Sequence, residues 1–100
     1  MTSGGETYLN QVRDIVLRCL RGHAATVYLF GSHATGAPRR SSDVDVAIEP
    51  KATLPPGLLA ELREALEEST VPWRVEVVDL SETDAAFRER VLKEGIVWNA

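Results

Sequence analysis

Cysteine occurs once among the 100 residues, at Cys19. A lone cysteine excludes an internal disulfide and a cysteine-built zinc site, and it fits a reducing, cytoplasmic setting. Long apolar runs are lacking: none approaches the roughly 20 residues of a membrane span, and the polar N-terminal stretch does not read as a signal peptide. Basic residues are too few to dominate, 11 against 15 acidic ones, for a formal charge of −4 with no Lys/Arg-dense face. That argues against tight nonspecific binding to nucleic acid. Repeats, low-complexity tracts and domain linkers are absent too. What remains is an ordinary globular composition, 44% hydrophobic and 26% charged. The length makes residues 1–100 one small domain with one core.

Periodicity orders the chain. Residues 1–5 fall outside any pattern. Leu9, Val12, Ile15, Val16, Cys19 and Leu20 then follow helical spacing, with Gly22 as the stop. On that stripe Cys19 reads as a core residue. Thr26 to Phe30 is a β-branched and aromatic run, a buried strand ended by Gly31. Asp43 to Ile48 alternates with period two and is a second strand. Pro55-Pro56-Gly57 introduces a helix carrying Leu58, Leu59, Leu62, Ala65 and Leu66, and Trp73 to Asp79 follows Pro72 as a third strand. Ser81 with Asp84 resembles a capping pair for a last helix bearing Phe87, Val91 and Leu92, closed by Gly95. Ile96-Val97-Trp98 forms a short edge strand or docks on the core; Trp73 and Trp98 are core or partner-facing. The order predicts an α+β fold, a small mixed β-sheet with helices packed on one face. The bare face then holds the site.

Two short motifs carry the chemistry. In Asp43-Val44-Asp45-Val46-Ala47-Ile48 the apolar residues face the core, so Asp43 and Asp45 share the opposite face, about 6.7 Å apart along the strand. Two carboxylates at that spacing repel unless a cation lies between them, and carboxylate oxygens are what Mg²⁺ prefers. A pair of such ions could activate an attacking oxygen and stabilise a leaving phosphate. On its own, Asp-x-Asp equally describes two solvated aspartates on a wet strand face. A calcium loop fails, because Ala47 and Ile48 stand where an EF-hand needs an oxygen ligand and a glycine. Gly31 permits a tight turn and a close backbone approach, and Ser32 offers a hydroxyl and an N–H to a phosphate. Gly31 to Gly36 is not a Walker A loop, since Ala37 replaces the required lysine. Arg39 and Arg40 lie in the loop between the motifs, where guanidinium could neutralise triphosphate charge. His33 is either a solvent-exposed loop histidine or a contact to a phosphate, and Ser41 and Ser42 either orient Asp43 or start the strand.

Gly31-Ser32, ten residues, then Asp43-x-Asp45 resembles the signature of the minimal nucleotidyltransferases of the DNA polymerase β superfamily. Tyr28 to Gly36, Ser41-Ser42-Asp43, Val75 to Leu80 and Gly95-Ile96-Val97 extend the resemblance over most of the chain. It implies the nucleotidyltransferase fold and a third carboxylate on a neighbouring strand. That position falls on Glu76, where the family usually has aspartate. Asp79 is the alternative, and alternation puts the two on opposite faces. Val75 and Val77 share the face of Asp79 and look like core, which leaves Glu76 on the open side.

The resemblance implies an enzyme of the nucleotidyltransferase class (EC 2.7.7), a protein adenylyltransferase. Asp43, Asp45 and Glu76 would be its catalytic and metal-holding residues, and Gly31, Ser32, Arg39 and Arg40 its nucleotide-binding residues. One or two Mg²⁺ ions would be the cofactor and ATP the substrate. The implied partner is a small all-helical protein of the HEPN or substrate-binding type. This chain would be the antitoxin of a toxin–antitoxin pair and would AMPylate that partner on a hydroxyl. Two alternatives stand: a non-catalytic antitoxin or subunit acting by contact, and a small-molecule, antibiotic-type transferase completed by a homodimer or a second subunit.

Overall fold

The computed structural model describes residues 4–31 and 44–99. Helix α1 spans Gly4–Cys19, strand β1 Ala25–Phe30, β2 Val44–Pro50, helix α2 Leu58–Glu67, β3 Val75–Asp79, helix α3 Ala85–Glu94 and β4 Ile96–Val97. A single 3₁₀ turn, Leu80–Glu82, joins β3 to α3. The helix begins at Gly4, inside the stretch expected to lie outside regular structure. Its N-terminal half is anchored by Tyr8, whose ring meets Trp73 edge-on with centroids 5.3 Å apart. Gly22 follows the helix with φ +83°, a left-handed turn open to glycine at no steric cost.

The four strands lie in the order β3-β2-β1-β4. β1 runs antiparallel to β2 and to β4, while β3 runs parallel to β2. A parallel neighbour needs a crossover, and the segment containing α2 supplies it. Ile96–Val97 is a true edge strand, with Tyr28 opposite Val97 and Leu29 opposite Ile96. Beyond it, Asn99 extends the pairing with its side chain. Its Oδ1 accepts from the Val27 N–H (2.9 Å), and its Nδ2 donates to the Ala25 carbonyl (2.7 Å). At the opposite edge, Arg63 of α2 donates to the outward carbonyl of Val77 at 3.0 Å.

Alternation sorts the sheet into two faces. Val27 and Leu29, Val44, Val46 and Ile48, and Val77 pack with Val12, Val16 and Leu20 of the α1 region and with Leu58, Leu62 and Leu66 of α2. Each large side chain fully buried there stabilises the fold by about 1.5–3 kcal/mol. Trp73, Trp98 and Cys19 are partly buried against this same core. α1 and α2 thus cover one face as expected, but α3 does not join them. Tyr28 and Ala47, on the other face, pack with Leu80, with Val91 and with partly buried Phe30, Phe87 and Leu92. The reason lies in the chain itself: Tyr28, Phe30 and Ala47 make part of the second face apolar, and α3 covers that part. α3 is capped by Asp84, whose carboxylate accepts from the Phe87 N–H at 2.7 Å. Ser81 is not the capping partner; its N–H and hydroxyl both donate to Asp79, at 2.8 and 2.6 Å. Among the described residues, no helix is long and apolar enough to cross a membrane.

Gly95 ends α3 in extended conformation, its N–H donating to the Val91 carbonyl at 2.7 Å. A Cβ there would lie 2.6 Å from that carbonyl oxygen and 3.3 Å from the Leu29 carbonyl. Gly95→Ala therefore destabilises the fold by about 1–3 kcal/mol, read as a lower urea midpoint at unchanged slope.

One acid is buried under α3. Glu49 is 5% exposed. It pairs with Lys51 at 2.9 Å and with Arg88 of α3, and the Tyr28 hydroxyl lies 3.5 Å from its Oε1. The hydrogen bond from Lys51, with the charges of Lys51 and Arg88, holds the Glu49 pKa below its ordinary value and outweighs burial, which acts the other way. Because the folded-state value is the lower one, this carboxylate contributes stability that is fully present above the ordinary value near 4.5 and is lost as pH falls through the folded-state value. Glu49→Gln should flatten the acid side of the urea-midpoint-against-pH curve; an unchanged acid limb would disprove the assignment.

Candidate active site

The site is built on the second face, where the ends of three strands meet. β1 delivers Gly31, β2 delivers Asp45 and β3 delivers Glu76. In the sheet register Asp45 lies opposite Phe30 on one side and opposite Glu76 on the other. Neighbouring strands are about 4.8 Å apart, so the two carboxylates sit side by side on one face. Asp45 is partly buried and Glu76 is exposed. Asp79 stands opposite Ile48, and its carboxylate is occupied as the acceptor that caps the 3₁₀ turn.

Gly31 has φ +81°, and a Cβ at this position would strike the Asp45 carboxylate. The glycine is required twice over, for the left-handed turn and for the close approach. The sequence suggests an approach to a ligand; the structure shows an approach to the acid itself. Phe30, the preceding residue, is braced by Phe87 of α3, ring centroids 5.7 Å apart and nearly perpendicular. Such pairs are worth about 0.5–1.5 kcal/mol beyond the area they bury. The sequence marks Phe87 as an apolar residue of α3 but shows neither its contact with Phe30 nor the Glu49 cluster, because each depends on which sheet face α3 covers.

Ser32, Arg39, Arg40 and Asp43 lie outside the described residues, as do His33, Ser41 and Ser42. Among the described residues no group of three His, Cys, Asp or Glu side chains could hold a metal ion. Asp45 and Glu76 are two hard oxygen donors on adjacent strands, a donor set suited to a small divalent cation but incomplete without a further ligand. The chemistry of the pair thus fits Mg²⁺, with Asp43 as the remaining candidate.

The family model described as "Polymerase beta, Nucleotidyltransferase" matches residues 18–98. The chain belongs to that family. This nucleotidyltransferase-family chain is 39% identical over 72 residues to "Probable protein adenylyltransferase MntA" of Haemophilus influenzae, covering 72% of the chain and 63% of the relative. The match therefore spans less than two thirds of that relative's length. A solved structure described as a minimal nucleotidyltransferase is 32% identical, with a TM-score of 0.74 over 94% of this chain and 95% of the other. A crystal structure of a toxin–antitoxin with AMP-PNP is 28% identical, with a TM-score of 0.67 over 86% and 71%. The nucleotidyltransferase fold and the mixed sheet are thereby shown.

A matched pair of glycine variants isolates the Gly31 contact. Gly31→Ala and Gly22→Ala each place alanine at φ above +80°, at about 1–2 kcal/mol, but a Cβ at Gly22 meets nothing within 4 Å. Both should lower thermal stability, Gly31→Ala by more because its Cβ must also push the Asp45 carboxylate aside. Only Gly31→Ala should weaken nucleotide binding, by about tenfold or more in calorimetric titration, because only it displaces Asp45.

Proposed function

We propose that this chain is a Mg²⁺-dependent adenylyltransferase that moves AMP from ATP to an acceptor hydroxyl. The acceptor would lie on a small all-helical partner of HEPN type, with this chain the antitoxin. The observation that carries the reading is the placement of Asp45 against Gly31 on one side and opposite Glu76 on the other. Family membership supports the reaction class. The naming of the Haemophilus relative supports a protein acceptor, and the toxin–antitoxin structure with AMP-PNP supports a paired system and an adenine nucleotide.

Each residue has a defined task in this reading. Gly31 lets the backbone turn close under the triphosphate, and Ser32 donates to its β- and γ-phosphates. Arg39 and Arg40 offset the negative charge of the same group. Asp43, Asp45 and Glu76 would hold Mg²⁺, which supplies charge neutralisation of the phosphates when bound. The acceptor oxygen forms a bond to the α-phosphorus as the bond to the pyrophosphate oxygen breaks. The hydroxyl proton passes to Glu76, and the electron pair leaves with pyrophosphate. Most of the acceleration comes from positioning and charge compensation.

The test uses ATP labelled at the α-phosphate, Mg²⁺, and the product of the gene adjoining that of this chain, resolved on a denaturing gel. Label on that protein is the expected result. Asp45→Asn should abolish labelling, by at least about a hundredfold, with the thermal melt of a folded protein retained. A stable complex with no label would favour the antitoxin acting by contact alone. Persistent labelling by Asp45→Asn would remove this carboxylate from the reaction.

A further inference from the structure

Arg74 is absent from the two motifs, and it lies two residues before Glu76. It lies just before β3, but its carbonyl still accepts from the Val44 N–H at 2.9 Å, so the ladder and its alternation reach it. Trp73, Val75 and Val77 pack on the core face, which sets Arg74 with Glu76 on the face of Asp45. Arg74 is exposed, and among the described residues its guanidinium is engaged in no ion pair or hydrogen bond. A cleft of about 530 Å³ runs past it along the outer side of β3, lined by Arg63, Trp73, Arg74 and Glu76, with Glu67 as its other acid.

Strand order assigns this cleft a side of the reaction. β1 and β3 flank β2 from opposite sides, so Gly31 and Glu76 are separated by two strand spacings, about 10 Å. Phosphoryl transfer proceeds with attacking and leaving oxygens roughly in line. A pyrophosphate held at the Gly31 turn therefore requires the attacking hydroxyl to arrive from β3, past Glu76 and Arg74. We infer that Arg74 binds an oxyanion carried by the acceptor beside its reacting hydroxyl, and that the cleft along β3 is the acceptor's entry. The inference rests on the adenylyltransferase reading above. The oxyanion has two possible sources, a carboxylate next to the hydroxyl or the phosphodiester of an AMP already joined to the acceptor. In the second case Arg74 would serve successive transfers rather than the first.

The experiment compares the unaltered chain with Arg74→Gln and Arg74→Lys, using as acceptor the protein labelled in the test above. It reads KM for acceptor, KM for ATP, and the number of AMP groups per acceptor by mass spectrometry. Thermal melts check that the variants fold, which an exposed side chain permits. A carboxylate source predicts a rise of about tenfold to a hundredfold in acceptor KM for Arg74→Gln, with KM for ATP unchanged and Arg74→Lys partly restoring it. A phosphodiester source predicts a normal first addition and loss of every later one, so that product stops at a single AMP. Either pattern supports the inference. A raised KM for ATP alone would assign Arg74 to the nucleotide, and an unchanged profile would leave it no role; both overturn the inference while sparing the adenylyltransferase reading. Absence of transfer by the unaltered chain would overturn both.

Discussion

β2 is hydrogen-bonded along both edges, antiparallel to β1 and parallel to β3, and so its side chains have no freedom to choose a face. Val44, Val46 and Ile48 are driven under α1 and α2, where all three are fully buried. The burial of three large apolar groups then fixes the register of the intervening residues Asp45, Ala47 and Glu49. A slip by one position would place two acids in the core and three β-branched chains on the site face. The placement of the acidic residue is therefore a by-product of the hydrophobic effect acting on its neighbours. Everything proposed for the site inherits that constraint.

The three residues on the second face of β2 meet three different environments. Ala47 is fully buried with Tyr28, Leu80 and Val91. Glu49 is buried and saturated by Lys51 and Arg88. A buried carboxylate is costly unless paired, and replacing one partner leaves the other charge uncompensated. The cluster gains in exchange a fixed position for α3, because Arg88 belongs to that helix. Asp45, at the other end of the strand, keeps partial contact with solvent. One strand thus carries an acid used as a structural anchor and, four residues away, the acid that Gly31 approaches.

Much of this was legible in the residues. A period-two run located β2, a β-branched and aromatic run ended by Gly31 located β1, the segment after Pro72 located β3, and helical apolar spacing located α1 and α2, because burial on one side leaves a strong periodic trace. The choice between Glu76 and Asp79 was also framed by alternation, since Val75 and Val77 marked the core face. The side covered by α3 was not legible. Its apolar residues are few, and the partners that hold it, Phe30, Tyr28 and Glu49, sit in strands whose other face carries the stronger signal. Ser81 misled for a related reason. The spacing Ser81 to Asp84 matches a capping box, but Asp79 lies two residues before Ser81 and captures its N–H and hydroxyl in a local turn. Local competition between two acceptors cannot be decided from spacing.

The limits of α3 also determine where the site lies. Its contacts run from Arg88 at Glu49 to Phe87 at Phe30, and Phe30 is the residue opposite Asp45. The cover therefore reaches the last residue of β1 without enclosing Glu76, which stays exposed. Extending that cover over Asp45 and Glu76 would strip water from two adjacent carboxylates, at several kcal/mol each unless a cation replaced the solvent. The Phe30–Phe87 contact sets an apolar brace on one side of Gly31, and the Asp45 carboxylate lies on the other. Moving the brace one residue along β1 would turn its side chain to the opposite face of the sheet. The aromatic pair must therefore sit at Phe30, and the turn that touches Asp45 must begin immediately after it.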